Sequence, residues 1–177
     1  VRTSDGGVRT LPLTAMPVAE FYGWLMWELH SLGIAVTIHT KPQEMAVKTG
    51  FEEDFEHKSY DREYAHRLWH VLISTHNVMQ EFRGRFIGKC SPVQFFWGSF
   101  DLACTRFSGR VAPPRKGAIS GPAYSHEVIS AGFWPGAGFT GPAYYAYAAP
   151  KPDGLEREIV RPAGAGWNPQ LGEFILM

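Results

Sequence analysis

The sequence is short of the features that most readily betray a function. Two cysteines in 177 residues, Cys90 and Cys104, supply neither a disulfide framework nor a four-thiolate zinc site. A reducing, cytoplasmic setting is the expectation. Excess charge of one sign is also missing, because Lys+Arg 17 balance Asp+Glu 17. That balance removes the electrostatic basis for bulk binding to nucleic acid or to an anionic membrane surface. No apolar run approaches the ~18 residues of a membrane-spanning helix. The opening residues, Val1-Arg2-Thr3-Ser4-Asp5-Gly6-Gly7, do not follow the basic-then-apolar pattern of a leader. Charged residues reach only 19% against 14% aromatics, the reverse of a disordered composition. A phosphate-binding loop and a G-x-S-x-G nucleophile elbow are absent, and the glycine-rich stretch 132–141 matches no dinucleotide fingerprint.

What is present predicts an α+β protein. Residues 1–13 read as a hairpin around Asp5-Gly6, with a first strand so short that upstream sequence is expected to be missing. Pro17 then precedes apolar residues at helical spacing (Phe21, Trp24, Leu25, Leu29, Leu32), Gly33 suits the helix end, and 34–39 reads as a strand. This strand–helix–strand lobe, 1–40, is followed by a connector, 41–60, whose acidic cluster (Glu52, Glu53, Asp54, Glu56) reads as a solvated face. A long helix is predicted over about 61–86, with Ala65, Leu68, Trp69, Leu72, Met79, Phe82 and Phe86 in one apolar stripe that should pack on a sheet. Extended runs at 93–107, 124–134 and 143–149 predict an antiparallel sheet, and 171–177 is also strand-like. Eleven of 19 glycines and nine of 13 prolines fall in 109–177, which suits strands joined by turns. The echo of Gly121-Pro122-Ala123-Tyr124 in Gly141-Pro142-Ala143-Tyr144 reads as repeated turn chemistry, each copy opening a strand. The whole, 1–177, is one α+β domain with its second lobe at 61–177.

Chemistry concentrates in the extended runs. Strand alternation puts Phe96, Phe100, Leu102 and Cys104 on one face of 93–107, and Trp97, Ser99, Asp101, Ala103 and Thr105 on the other. An aspartate between aromatics in mid-strand needs donors or a cation, so Asp101 is either a site residue or a structural anchor. On the next run His126, Val128, Ser130 and Trp134 share a face. Pairing of the two runs would gather Ser99, Asp101, His126 and Ser130 on the floor of an aromatic-walled pocket, with Asp101 and His126 as a candidate acid–base pair. His66 and His70, at i and i+4, lack a zincin glutamate because Arg67 stands in its place, and both read as solvent-facing. His76 reads as a satisfied core or pocket histidine. Seven cations between 83 and 116 face only Asp101 in charge, interleaved with aromatics, yet no nucleic-acid-binding signature accompanies them.

The runs Arg83–Pro92, Phe95–Ala103, Thr105–Arg110 and Tyr124–Gly136, with Tyr145-Ala146-Tyr147 beyond, resemble a bacterial family of uncharacterised proteins catalogued as domain of unknown function 5996. The resemblance extends over nearly the whole chain and implies members longer at both ends. Gln94 departs from it, standing where members are expected to carry His. No activity comes with the resemblance.

The reading is therefore a mainly antiparallel sheet with one long helix across it. A small-molecule pocket is expected between sheet and helix, with Trp97, Ser99, Arg106, Ser130, Trp134, Tyr145 and Tyr147 as ligand-binding residues. The alternatives are an enzyme, a hydrolase or lyase using Asp101 with His126, and a self-associating interaction module. No metal, cofactor, membrane or nucleic-acid partner is expected; a homo-oligomer is compatible with the sequence.

Overall fold

Alternating apolar residues and frequent turn formers produce the expected α+β architecture in the computed structural model, which describes residues 1–42, 45–136 and 141–177. Residues 43–44 of the expected connector and 137–140 of the glycine-rich stretch lie outside the described residues. The chain forms two compact units, Val1–His70 and Val71–Met177, so the division falls inside the long helix and not at the predicted connector.

In the first unit, helix α1 (Val18–Ser31) ends as its sequence predicts. Gly33 takes φ +75°, and the amides of Gly33 and Ile34 donate to the carbonyls of His30 and Leu29. The opening turn closes through one antiparallel bridge, Arg2 with Val8, while Arg9 pairs with the buried Glu28 of α1 at 2.7 Å. Residues 34–39 join no ladder among the described residues, so the second strand of the predicted strand–helix–strand lobe does not form. The opening turn forms only the single bridge Arg2–Val8, too short a ladder for a further strand to extend. In the acidic cluster Glu52, Glu53 and Glu56 are exposed as expected, and Asp54 is the exception. Asp54 is buried, and its carboxylate accepts from the amides of Glu56 and His57 and lies 2.9 Å from His57 Nδ1. The carbonyls of Asp54 and His57 in turn accept the amides of Ala19 and Val18, two of the first-turn donors that a helix cannot satisfy itself.

Helix α2 runs Arg62–Gly84. Its stripe is buried at Met79, with Thr75 beside it, whereas Ala65 and Trp69 are exposed. His66 and His70 are exposed as expected, with their Nε2 atoms 3.1 Å apart. In the second unit six antiparallel strands follow: β1 (Gln94–Phe96), β2 (Asp101–Val111), β3 (His126–Trp134), β4 (Ala143–Ala149), β5 (Gly166–Asn168) and β6 (Glu173–Leu176). Their order is β1-β2-β3-β4-β6-β5. The run 93–107 is thus two strands, turned at Trp97–Phe100. The two Gly-Pro-Ala-Tyr copies also differ: residues 120–123 form a short helix, α3 (Ser120–Ala123), and only the second copy leads directly into a strand.

Cross-strand pairs define the sheet faces. Leu102 opposes Phe133, which opposes Tyr144, which opposes Leu176. This face meets α2, where Thr75 Oγ1 lies 3.2 Å from the Tyr144 hydroxyl and the Arg106 guanidinium sits 3.6 Å from the Phe82 ring centroid. Among the described residues no helix is long and apolar enough to cross a membrane.

Candidate functional site

The opposite face carries the polar groups. The pairs Ala103–Gly132–Tyr145 and Thr105–Ser130–Tyr147 run across β2, β3 and β4, and Ile175 continues the first row on β6. Gly132 is essential to this surface. A Cβ there would stand 2.5 Å from Tyr145 Cζ, closer still to its hydroxyl, and 2.7 Å from the Leu102 carbonyl oxygen. The missing side chain lets the Tyr145 ring lie across β3 and reach β2, where its hydroxyl donates to Asp101 Oδ2.

Asp101 is 7% exposed, and its other oxygen accepts from Ser99 Oγ at 2.5 Å. Ser99 belongs to the β1–β2 turn. There Phe100 holds φ +60°, a left-handed conformation unfavourable for a residue with a bulky side chain, and its amide donates to the Phe96 carbonyl at 2.7 Å. Trp134 Nε1 donates to the Ser99 carbonyl at 3.1 Å and fastens the turn from the neighbouring strand. Turn, carboxylate, tryptophan and tyrosine therefore form one connected set.

Beside Asp101 opens a cavity of about 420 Å³. Ser99 and Asp101 line one side, Trp134 and Ala143 one end, Tyr145 and Tyr147 the floor, and Leu171, Glu173 and Ile175 the far wall. The rings of Tyr145 and Tyr147 are stacked, 6.1 Å between centroids. Burial, then the hydrogen bond and charge of Asp101, push the Tyr145 phenol well above its ordinary range; burial and Tyr124, 3.0 Å away, do the same for Tyr147. Glu173 is raised by burial first and by the Asp101 charge second. Both phenols thus remain protonated at physiological pH.

A family model spans residues 1–177, the whole chain, and carries the description "family of unknown function (DUF5996)". The chain belongs to that family. No curated protein matches it, and no solved structure does.

For this DUF5996 chain, the residues expected at a site separate into two groups. Ser99, Asp101, Trp134, Tyr145 and Tyr147 converge on the cavity. Ser130 lies on the same face but is spent internally, 3.0 Å from Thr105 Oγ1 and 2% exposed. Arg106 belongs to the helix-facing side, stacked on Phe82 with a guanidinium nitrogen donating to the Phe82 carbonyl. Trp97 projects from the turn, 80% exposed, against the edges of Phe95 and Phe100.

His126 does not meet Asp101. It pairs with Val111, eight residues along β3 from the Trp134 end beside Asp101, or about 26 Å at roughly 3.3 Å per residue. The acid–base pair is excluded by register. The cavity is likewise not between sheet and helix, because its wall residues alternate with those that touch α2. Sequence reasoning missed Glu173, although Glu173-Phe174-Ile175 shows the alternation that places Glu173 and Ile175 on one face.

The two cysteines are free and adjacent, with Sγ atoms 3.4 Å apart, and burial pushes the Cys104 thiol up to about 11. Among the described residues no group of three His, Cys, Asp or Glu is placed to hold a metal ion.

Proposed function

We propose that this protein binds a small organic molecule in the cavity formed by β2, β3, β4, β6 and the turn at Trp97–Phe100. The observation that carries this reading is the convergence of a buried, doubly hydrogen-bonded Asp101 with Trp134, Tyr145 and Tyr147 around about 420 Å³ of space. Small-molecule sites combine apolar and aromatic walls with a few oriented polar groups in this way. The left-handed Phe100 and the Gly132 gap support the same reading, since both hold the wall in a conformation that packing alone would not require.

A thermal-shift screen of small aromatic compounds against the full chain tests it. Compounds that bind should raise the melting temperature with concentration. Trp134→Ala, checked for folding by circular dichroism, should weaken them roughly tenfold or more, the scale of a lost aromatic wall. The reading fails if no compound shifts the transition, or if hits bind the folded Trp134→Ala variant equally well.

A further inference from the structure

The charge inventory of the cavity is one-sided. Its described lining holds two carboxyl groups, Asp101 and Glu173, and no lysine, arginine or histidine. The two carboxyls are in different situations. Both Asp101 oxygens receive hydroxyl protons, from Ser99 and Tyr145. Glu173, half-buried on β6, receives no side-chain or backbone donor among the described residues, although burial penalises its charge. A second cavity of about 440 Å³, on the sheet flank beside Arg106, offers a contrast. There Arg110 is paired with Glu127 at 2.7 Å, and Lys151 with Glu156 at 2.6 Å. Arg110 and Lys151 of that flank cavity are ion-paired within the chain, whereas Glu173 of the Asp101 cavity is not.

Two carboxyl groups line one cavity, and burial and the Asp101 charge both disfavour charge on Glu173, so the occupant that relieves them is one that brings positive charge. The walls agree with that. Trp134, Tyr145 and Tyr147 supply electron-rich rings, the surfaces over which an ammonium or guanidinium group is attracted once it leaves water. The Tyr145 hydroxyl, its one proton donated to Asp101, keeps an oxygen lone pair that can accept from an ammonium or guanidinium group. An anion would meet only repulsion here. A neutral molecule would leave Glu173 without a partner.

Resting on the cavity being a ligand site, we infer that its ligand is a small organic cation, a primary amine or guanidinium compound with an apolar body, whose charged head is held by Glu173 in the cavity it shares with Asp101.

Isothermal titration of the full chain at pH 7 with three probes of similar shape tests this: 2-phenylethylamine, 2-phenylethanol and 3-phenylpropanoate. The amine should bind roughly tenfold or more tighter than the alcohol, the scale of a desolvated cation–carboxylate and cation–π contact, and the carboxylate should not bind. Glu173→Gln, shown to be folded by circular dichroism, should abolish the preference for the amine and leave the ratio of amine to alcohol affinity near one. Equal binding of alcohol and amine by the parent overturns the inference, as does an amine preference that survives Glu173→Gln. If the alcohol binds and is lost in Trp134→Ala while no amine preference exists, the charge inference falls and the cavity remains a ligand site. If none of the probes binds, both readings fall.

Discussion

At the scale of single residues, Gly132 decides whether the site exists. Its empty Cβ position is what Tyr145 occupies on the way to Asp101, and the Leu102 carbonyl behind it cannot rotate aside as a side chain can. Gly132→Ala should therefore destabilise the protein by about 1–3 kcal/mol, the usual cost of overpacking. For a chain of this length that is ~3–10 °C in thermal unfolding. An unchanged melting temperature would mean that Tyr145 has another resting place. Glu173 has a pH signature. Its native carboxyl holds a proton to higher pH than the ordinary value of 4.5, so the folded state binds more protons than the unfolded one above that value. Stability from this group must then fall as pH rises from 4.5 towards neutrality. The groups facing it, Asp101, Tyr145 and Tyr147, include no cation to reverse the sign. Glu173→Gln should melt a few degrees higher than the parent at pH 7, with the gap closing below pH 4.5; a lower melting temperature at pH 7 contradicts the assignment. Asp101 was legible in the sequence because a carboxylate among aromatics announces its need for donors. Glu173 was not, since it sits in a short run with no comparable crowding.

At the scale of elements, periodicity located the helices and the central strands, while pairing partners stayed hidden. Alternation correctly separated Asp101 from Leu102 and Ser130 from Ile129, because side-chain direction is a local property of a strand. Register is not local. Whether Asp101 meets His126 or Trp134 depends on how the β2–β3 connection is spent, and neither strand's sequence carries that information. The Trp97–Phe100 turn was hidden for a related reason: Gly98 is its one strong turn former, and Phe100 adopts its left-handed conformation without being Gly, Asn or Asp. The basic segment also changed meaning. Arg83 donates to the Ser91 carbonyl, Arg106 stacks on Phe82, Arg110 pairs with Glu127, and Arg115 lies over Tyr124. Charges that look like a patch in sequence are distributed among separate intramolecular partners.

At the scale of the whole molecule, the sheet and the first unit call for separate accounts. In the sheet, β3 is the strand with seven-residue ladders on both sides, while β1 and β5 are three-residue edges. Native-state hydrogen exchange should show the slowest amides in β3 and the fastest strand amides in β1 and β5. Comparable rates in β1 and β3 would contradict this order. Composition suggested that a helix-centred lobe ends near residue 40 and that a connector follows. The amides at the start of α1 have their acceptors in that connector, at Asp54 and His57. A fragment cut at residue 40 would begin its helix with those amides open to water, whereas one extended through His57 keeps their acceptors.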